Sequence, residues 1–117
     1  MSKSIKMSKW PTPYYAVIFT SVLNENIKGY DEMTNQMMEL VRHQPGFLGV
    51  DSARDKIGIT VSYWSSLEAI DNWRTNSQHQ SAKNQGKKKW YDSYSLKICN
   101  TLFPYTTLFR SNRKSVV

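Results

Sequence analysis

Between residues 14 and 64 the hydrophobic pattern changes period several times, and each change predicts an element. Tyr14–Leu23 is rich in β-branched and aromatic residues and has no helical period, which predicts strand one. After the Asn- and Gly-containing turn 24–29, Tyr30, Met33, Met37, Leu40 and Val41 fall at steps of three and four, the spacing that gathers apolar side chains on one face of a helix. Gln44-Pro45-Gly46 ends that helix, because proline disfavours the helical region for its predecessor and glycine permits a reversal. Phe47–Arg54 then predicts strand two. Ile57, Ile59, Val61 and Tyr63 alternate strictly with Gly58, Thr60 and Ser62, which predicts strand three behind a short hairpin at Asp55-Lys56.

The stretch Ser62–His79, SYWSSLEAIDNWRTNSQH, predicts a strand closing on Trp64 and a helix behind it. Ser65 and Glu68 have the spacing at which hydroxyl and carboxylate each satisfy the other's backbone N–H, and Leu67, Ile70 and Trp73 recur on one face; Leu67 and Ile70 are expected to pack the core, while the Trp73 indole suits either a buried place with a partner for its N–H or a flat wall for a planar ligand. Thr75-Asn76-Ser77 interrupts the helix before His79–Asn84 continues it. Beyond Gly86 and Lys87-Lys88-Lys89, Trp90–Cys99 sets Tyr94, Leu96 and Ile98 against Ser93, Ser95 and Lys97 as strand four. The order β-α-β-β-α-β is the ferredoxin-like split βαβ arrangement of the α+β class, one sheet covered on one face by helices. Strand one carries large side chains in both registers, Tyr15, Val17 and Phe19 against Ala16, Ile18 and Val22. The uncovered face is therefore expected to be apolar and to bury itself on a second copy, giving a homodimer.

Composition narrows the partners. A chain of 117 residues holds one core, expected over residues 13–100 behind a flexible leader, 1–12. The formal charge is +7, but Lys3, Lys6, Lys9, Arg110, Arg113 and Lys114 lie outside that domain, and without them the balance is +1. So small a residue of charge predicts no nucleic-acid partner. The longest apolar run, Tyr14–Phe19, is too short to span a bilayer and no apolar block follows the basic N-terminus, so no membrane association and a cytoplasmic location are expected. A single cysteine, Cys99, predicts neither an internal disulfide nor a metal site.

Thr101–Ser111, TLFPYTTLFRS, repeats itself internally and lacks acids. It matches, codon for codon, one reading frame of an adapter oligonucleotide used in short-read sequencing. Residues 101–117 are accordingly expected to be a non-native or disordered tail, with the authentic domain running to about Asn100.

Three segments, PYYAVIFTSV, QPGFLGVDSARD and ITVSYWSSLEAIDNWRTNSQH, resemble the antibiotic biosynthesis monooxygenase domain, over about Pro13 to Asn100. The resemblance implies a dimeric α+β barrel and, in some members, an oxygenase that needs no cofactor and acts on small aromatic or quinol-like substrates with O2. For that chemistry Trp73 and Trp64 are expected to wall the substrate, Asn72 and Tyr63 to orient it, and His79 to act as the base. Another branch resembling this domain degrades haem and implies an Asn on strand one, a Trp on the second helix and a His ten residues beyond it. Trp73 fits, strand one has no Asn, and the third position is Lys83, with His79 one helical turn too early; haem is thus the alternative cofactor, with His79, or failing it His43, as axial ligand. A non-catalytic small-ligand-binding dimer on the same fold is the third reading.

Overall fold

Pairing of alternating strands decides which side chains share a face. The structure, a computed structural model, describes Trp10 and residues 12–101. Strand β1 (Tyr14–Leu23) leads to helix α1 (Tyr30–Val41), then β2 (Phe47–Arg54), β3 (Gly58–Trp64), helices α2 (Leu67–Arg74) and α3 (Ser77–Gln85), a π-helical turn (Gly86–Trp90) and β4 (Tyr91–Thr101). The four strands form one antiparallel sheet in the order β2-β3-β1-β4. This is the expected ferredoxin-like α+β fold.

Register assigns the two faces. Tyr15 pairs with Trp64 and Asn100, Val17 with Ser62 and Ile98, Phe19 with Thr60 and Leu96, and Ser21 with Gly58 and Tyr94. Directly opposed residues point the same way, and Tyr15, Val17 and Trp64 belong to the core with Val41, Ala69 and Ile70 of the helices, so this whole set faces the helical layer. The other face carries Tyr14, Ala16, Ile18 and Val22 of β1 with Ile59, Val61 and Tyr63 of β3. It is apolar along the central strands but polar on the flanks, where Asp51, Ser93, Ser95 and Lys97 share it.

Two junctions hold the layers in place. Gly46 has φ of 85°, a conformation open to glycine, and a Cβ there would lie 2.5 Å from that of Ala69. The carbonyl of Gly46 also accepts from the Ser65 N–H at 2.8 Å, tying the start of α2 to the end of the α1–β2 turn.

Several local expectations shift. The cap of α2 is Ser66, whose Oγ accepts from the Ala69 N–H at 3.0 Å, so the Ser65–Glu68 pair does not form the capping box. The face of α2 turned to the core is Ala69, Ile70 and Trp73. At about 100° per residue Leu67 lies roughly a third of a turn off that face, and it is 55% exposed rather than in the core. The lysine run continues α3 as the π-helical turn, and Trp90 ends that turn, buried, with its Nε1–H on the Lys28 carbonyl at 3.0 Å. Strand β4 accordingly begins one residue later than expected, at Tyr91, and runs on to Thr101, paired with Tyr14. The leader and tail lie outside the described residues apart from Trp10, Thr12 and Thr101. Trp10 packs on Tyr14 and Tyr63 at 5.2 and 5.0 Å between ring centroids.

Candidate active site

The break between α2 and α3 builds the centre of the site. Asn76 sits between the helices in extended backbone, and its Oδ1 accepts from the N–H groups of Gln78 and His79, both at 3.0 Å. An asparagine N-cap satisfies donors that no helix can satisfy itself. With α3 re-started at this angle, the His79 imidazole lies flat on the Trp73 indole, 4.0 Å between centroids and 13° between planes. Trp64, completely buried, stacks beneath Trp73 at 6.4 Å and donates its Nε1–H to Ser62 Oγ at 2.9 Å.

The hydrogen bonding of His79 sets its chemistry. Nδ1 is 3.0 Å from the Trp73 carbonyl oxygen, which only accepts, so Nδ1 carries a proton, and in the neutral ring Nε2 then keeps its lone pair. Burial pushes the imidazole's pKa down to about 4, assisted by Lys83 and opposed by the carbonyl bond. His79 is therefore neutral at pH 7, suited to accept a hydrogen bond at Nε2 or to ligate a metal, and weak as a proton acceptor.

The remaining expected residues do not all gather here. Trp64 lies under the pair, and with no exposed surface it supports Trp73 rather than touching a ligand. Asn72 lies on the exposed side of α2, and Thr75 Oγ1 donates to its backbone carbonyl at 3.3 Å. Tyr63 points to the opposite face of the sheet, because neighbouring residues of a strand alternate. There it donates to Asp51 at 3.0 Å, and burial together with that carboxylate pushes the phenol up to about 12. His43 is exposed at the end of α1, 3.4 Å from Glu39.

One part of the helical side is left bare. Strand β4 is an edge strand packed on β1 and the π-helical turn, and its helix-facing residues Tyr94, Leu96 and Ile98 are 47%, 55% and 49% exposed. They continue the row of Phe19 and Val17, forming an exposed apolar strip on the face that carries Trp64. The alternation of strand four held the signal for this strip; its pairing with β1, which decides the face, did not. Concavities among the described residues include one of about 630 Å3 between Thr75 and Lys89 and one of about 500 Å3 between α1 and α3. Among the described residues no helix is long and apolar enough to cross a membrane.

Comparison with known proteins agrees with this architecture. The chain is 53% identical over 95 residues to the uncharacterized protein YqjZ of Bacillus subtilis (strain 168), covering 79% of this chain and 83% of that protein. Among solved structures it resembles SnoaB, a cofactor-independent oxygenase from Streptomyces nogalater, with a TM-score of 0.64 at 7% identity over 88% of this chain and all of that one. It also resembles Rv0793 from Mycobacterium tuberculosis, with a TM-score of 0.66 at 13% identity over 84% of this chain and 99% of that one. At such identities the two structures speak to the fold. The antibiotic biosynthesis monooxygenase family pattern, however, matches residues 13–85, and on that match together with the fold the chain belongs to the antibiotic biosynthesis monooxygenase family.

Proposed function

We propose that the protein is a cofactor-independent monooxygenase acting on a small aromatic or quinol-like substrate with O2, in the cytoplasm and as a homodimer. The observation that carries this reading is the stacked Trp73–His79 pair, a flat aromatic wall joined to a neutral imidazole with an unprotonated Nε2. Family membership and the likeness to SnoaB support it. In such a reaction the substrate's own anion passes electrons to O2; one oxygen atom enters the product and the other leaves as water. The protein's share is to bind the ring, exclude water and steer a proton.

The pKa of His79 restricts the substrate. Full proton transfer from a simple phenol, near 10, to an imidazole near 4 is uphill by roughly six units, or about 8 kcal/mol. Nε2 therefore orients a substrate hydroxyl that is already acidic or already ionised, as in a polyphenolic enol. Asn72 and Tyr63, on other surfaces of the protomer, take part only where a partner copy or a movement of α2 brings them to the substrate.

Oxygen uptake with an anthrone or quinol panel, in the presence of a metal chelator, tests the reading. Uptake that falls at least tenfold in Trp73→Ala and His79→Ala is expected, and a panel that gives none above blank sinks it. The tautomer of His79 also favours a second reading, a haem-binding protein with Nε2 on the iron, in which the haem would supply the metal chemistry of O2 activation. Its residues fit in part: His79 has the state an axial ligand needs, while β1 offers no Asn and Lys83 stands ten residues after Trp73. Haemin titration should then shift the Soret band in the wild type and not in His79→Ala. A ligand that binds at Trp73 without turnover would leave a non-catalytic binding dimer.

A further inference from the structure

The far end of the same helical side holds a cation that enters no ion pair among the described residues. Arg54, the last residue of edge strand β2, folds back over β3 and reaches β1, where Nη1 donates to the Ser21 carbonyl at 3.3 Å and Nη2 to Ser21 Oγ. It passes directly over Gly58, a buried glycine whose missing side chain is what leaves room for the guanidinium; a Cβ there would collide with Cζ and Nη2. The guanidinium lies 5.9 Å from the centre of the Tyr30 ring. Ion pairs among the described residues join Arg42 and His43 to Glu39 and Arg74 to Asp71, and Arg54 enters none. Ser21 takes one N–H from each terminal nitrogen, so donors of the fork remain.

Beside this cation begins the exposed apolar strip of β4. Ser21 faces Tyr94 across the β1–β4 pair, and Phe19, Tyr91 and Tyr94 form one aromatic group with centroids 5.4 to 6.1 Å apart. Leu96 and Ile98 carry the apolar surface away from Arg54 along β4, about 13 Å from Tyr94 to Ile98 at the usual rise per strand residue. A charged head at one end and an exposed apolar track at the other complement one class of ligand. Carboxylate and guanidinium match as two-pronged partners, and an apolar body gains by covering the track.

We propose that this strip binds an amphiphilic monocarboxylate, its acid group on Arg54 and its apolar body along Tyr94, Leu96 and Ile98. The proposal rests on the active-site reading only in sharing this face of the sheet. If that reading also stands, the substrate's aromatic part lies toward Trp73 and its acid group toward Arg54. Binding requires no turnover, so the two ideas fail separately.

The test is calorimetric titration of the full chain with decanoate and decanol at pH 7, below their micellar concentrations, alongside sedimentation. Saturable decanoate binding is expected, at least tenfold tighter than decanol, weakened tenfold or more in Arg54→Gln, partly kept in Arg54→Lys and lost in Leu96→Asp. Decanol binding should be unchanged in Arg54→Gln, which also shows that the variant is folded. Decanoate binding that ignores Arg54→Gln, or no binding by the wild type, overturns the proposal. So does a dimer that Leu96→Asp converts to monomer while the wild type takes no decanoate, because the strip would then be a contact between copies.

Discussion

The His79 imidazole rests on the Trp73 indole at 4.0 Å, and its Nδ1 lies 3.0 Å from the carbonyl oxygen of that same tryptophan. One residue thus supplies both a stacking surface and the acceptor that selects the tautomer. The pair is locked to the junction of α2 and α3.

Acid should weaken the fold through this histidine. Its pKa is about 4 in the folded chain against 6.5 for the ordinary group, so the unfolded chain binds more protons between those values. The stabilisation is complete above pH 6.5 and is lost as the pH falls toward 4, up to about 3 kcal/mol. Urea midpoints at pH 7.5 and 4.5 should differ by less in His79→Gln than in the wild type. Equal losses would show that His79 is not held neutral.

Asn76→Ala should cost about 1 kcal/mol, since two N–H groups at the start of α3 lose their acceptor. The His79 ring should also become more mobile. NMR titration of the variant would then place the His79 pKa nearer 6.5, whereas an unaltered value would separate the cap from the stacking.

Gly46→Ala should destabilise by about 2 kcal/mol or more. The substitution forces a side chain into positive φ and onto Ala69 and Ser65, at 2.5 and 2.9 Å. Thermal unfolding measures the loss, and Pro45→Ala serves as a neighbouring control on the same turn.

Dimer formation through the open face should be sensitive to its centre. Ile18 and Val61 are directly paired there, so Val61→Lys would place a charge in the contact. Sedimentation should show a dimer for the wild type and a monomer for Val61→Lys. A wild type that stays monomeric at high concentration would refute the association.

Much of the fold was legible because strands and helices leave different periods. Ile59, Val61 and Tyr63 alternate whatever they pack against, and the Asn76 break is visible because asparagine serves helix starts better than helix interiors. Leu67 shows where periodicity falls short. Its spacing from Ile70 suits a core stripe, yet packing of α2 on the sheet turns Ala69 inward and leaves Leu67 exposed.

The candidate site divides in the same way. Trp73 and His79 were identifiable by chemistry, while Tyr63 and Trp64 adjoin in sequence and face opposite sides of the sheet. The chain by itself determined the element order, the family and the aromatic and imidazole groups, because these follow from local period and residue type. Tertiary structure alone decided that burial holds the His79 pKa well below its ordinary value, that Arg54 crosses a glycine to Ser21, and that the helical face of β4 lies bare. Each of these depends on strand register and on which element covers which. Such contacts join residues tens of positions apart, and no local pattern records them.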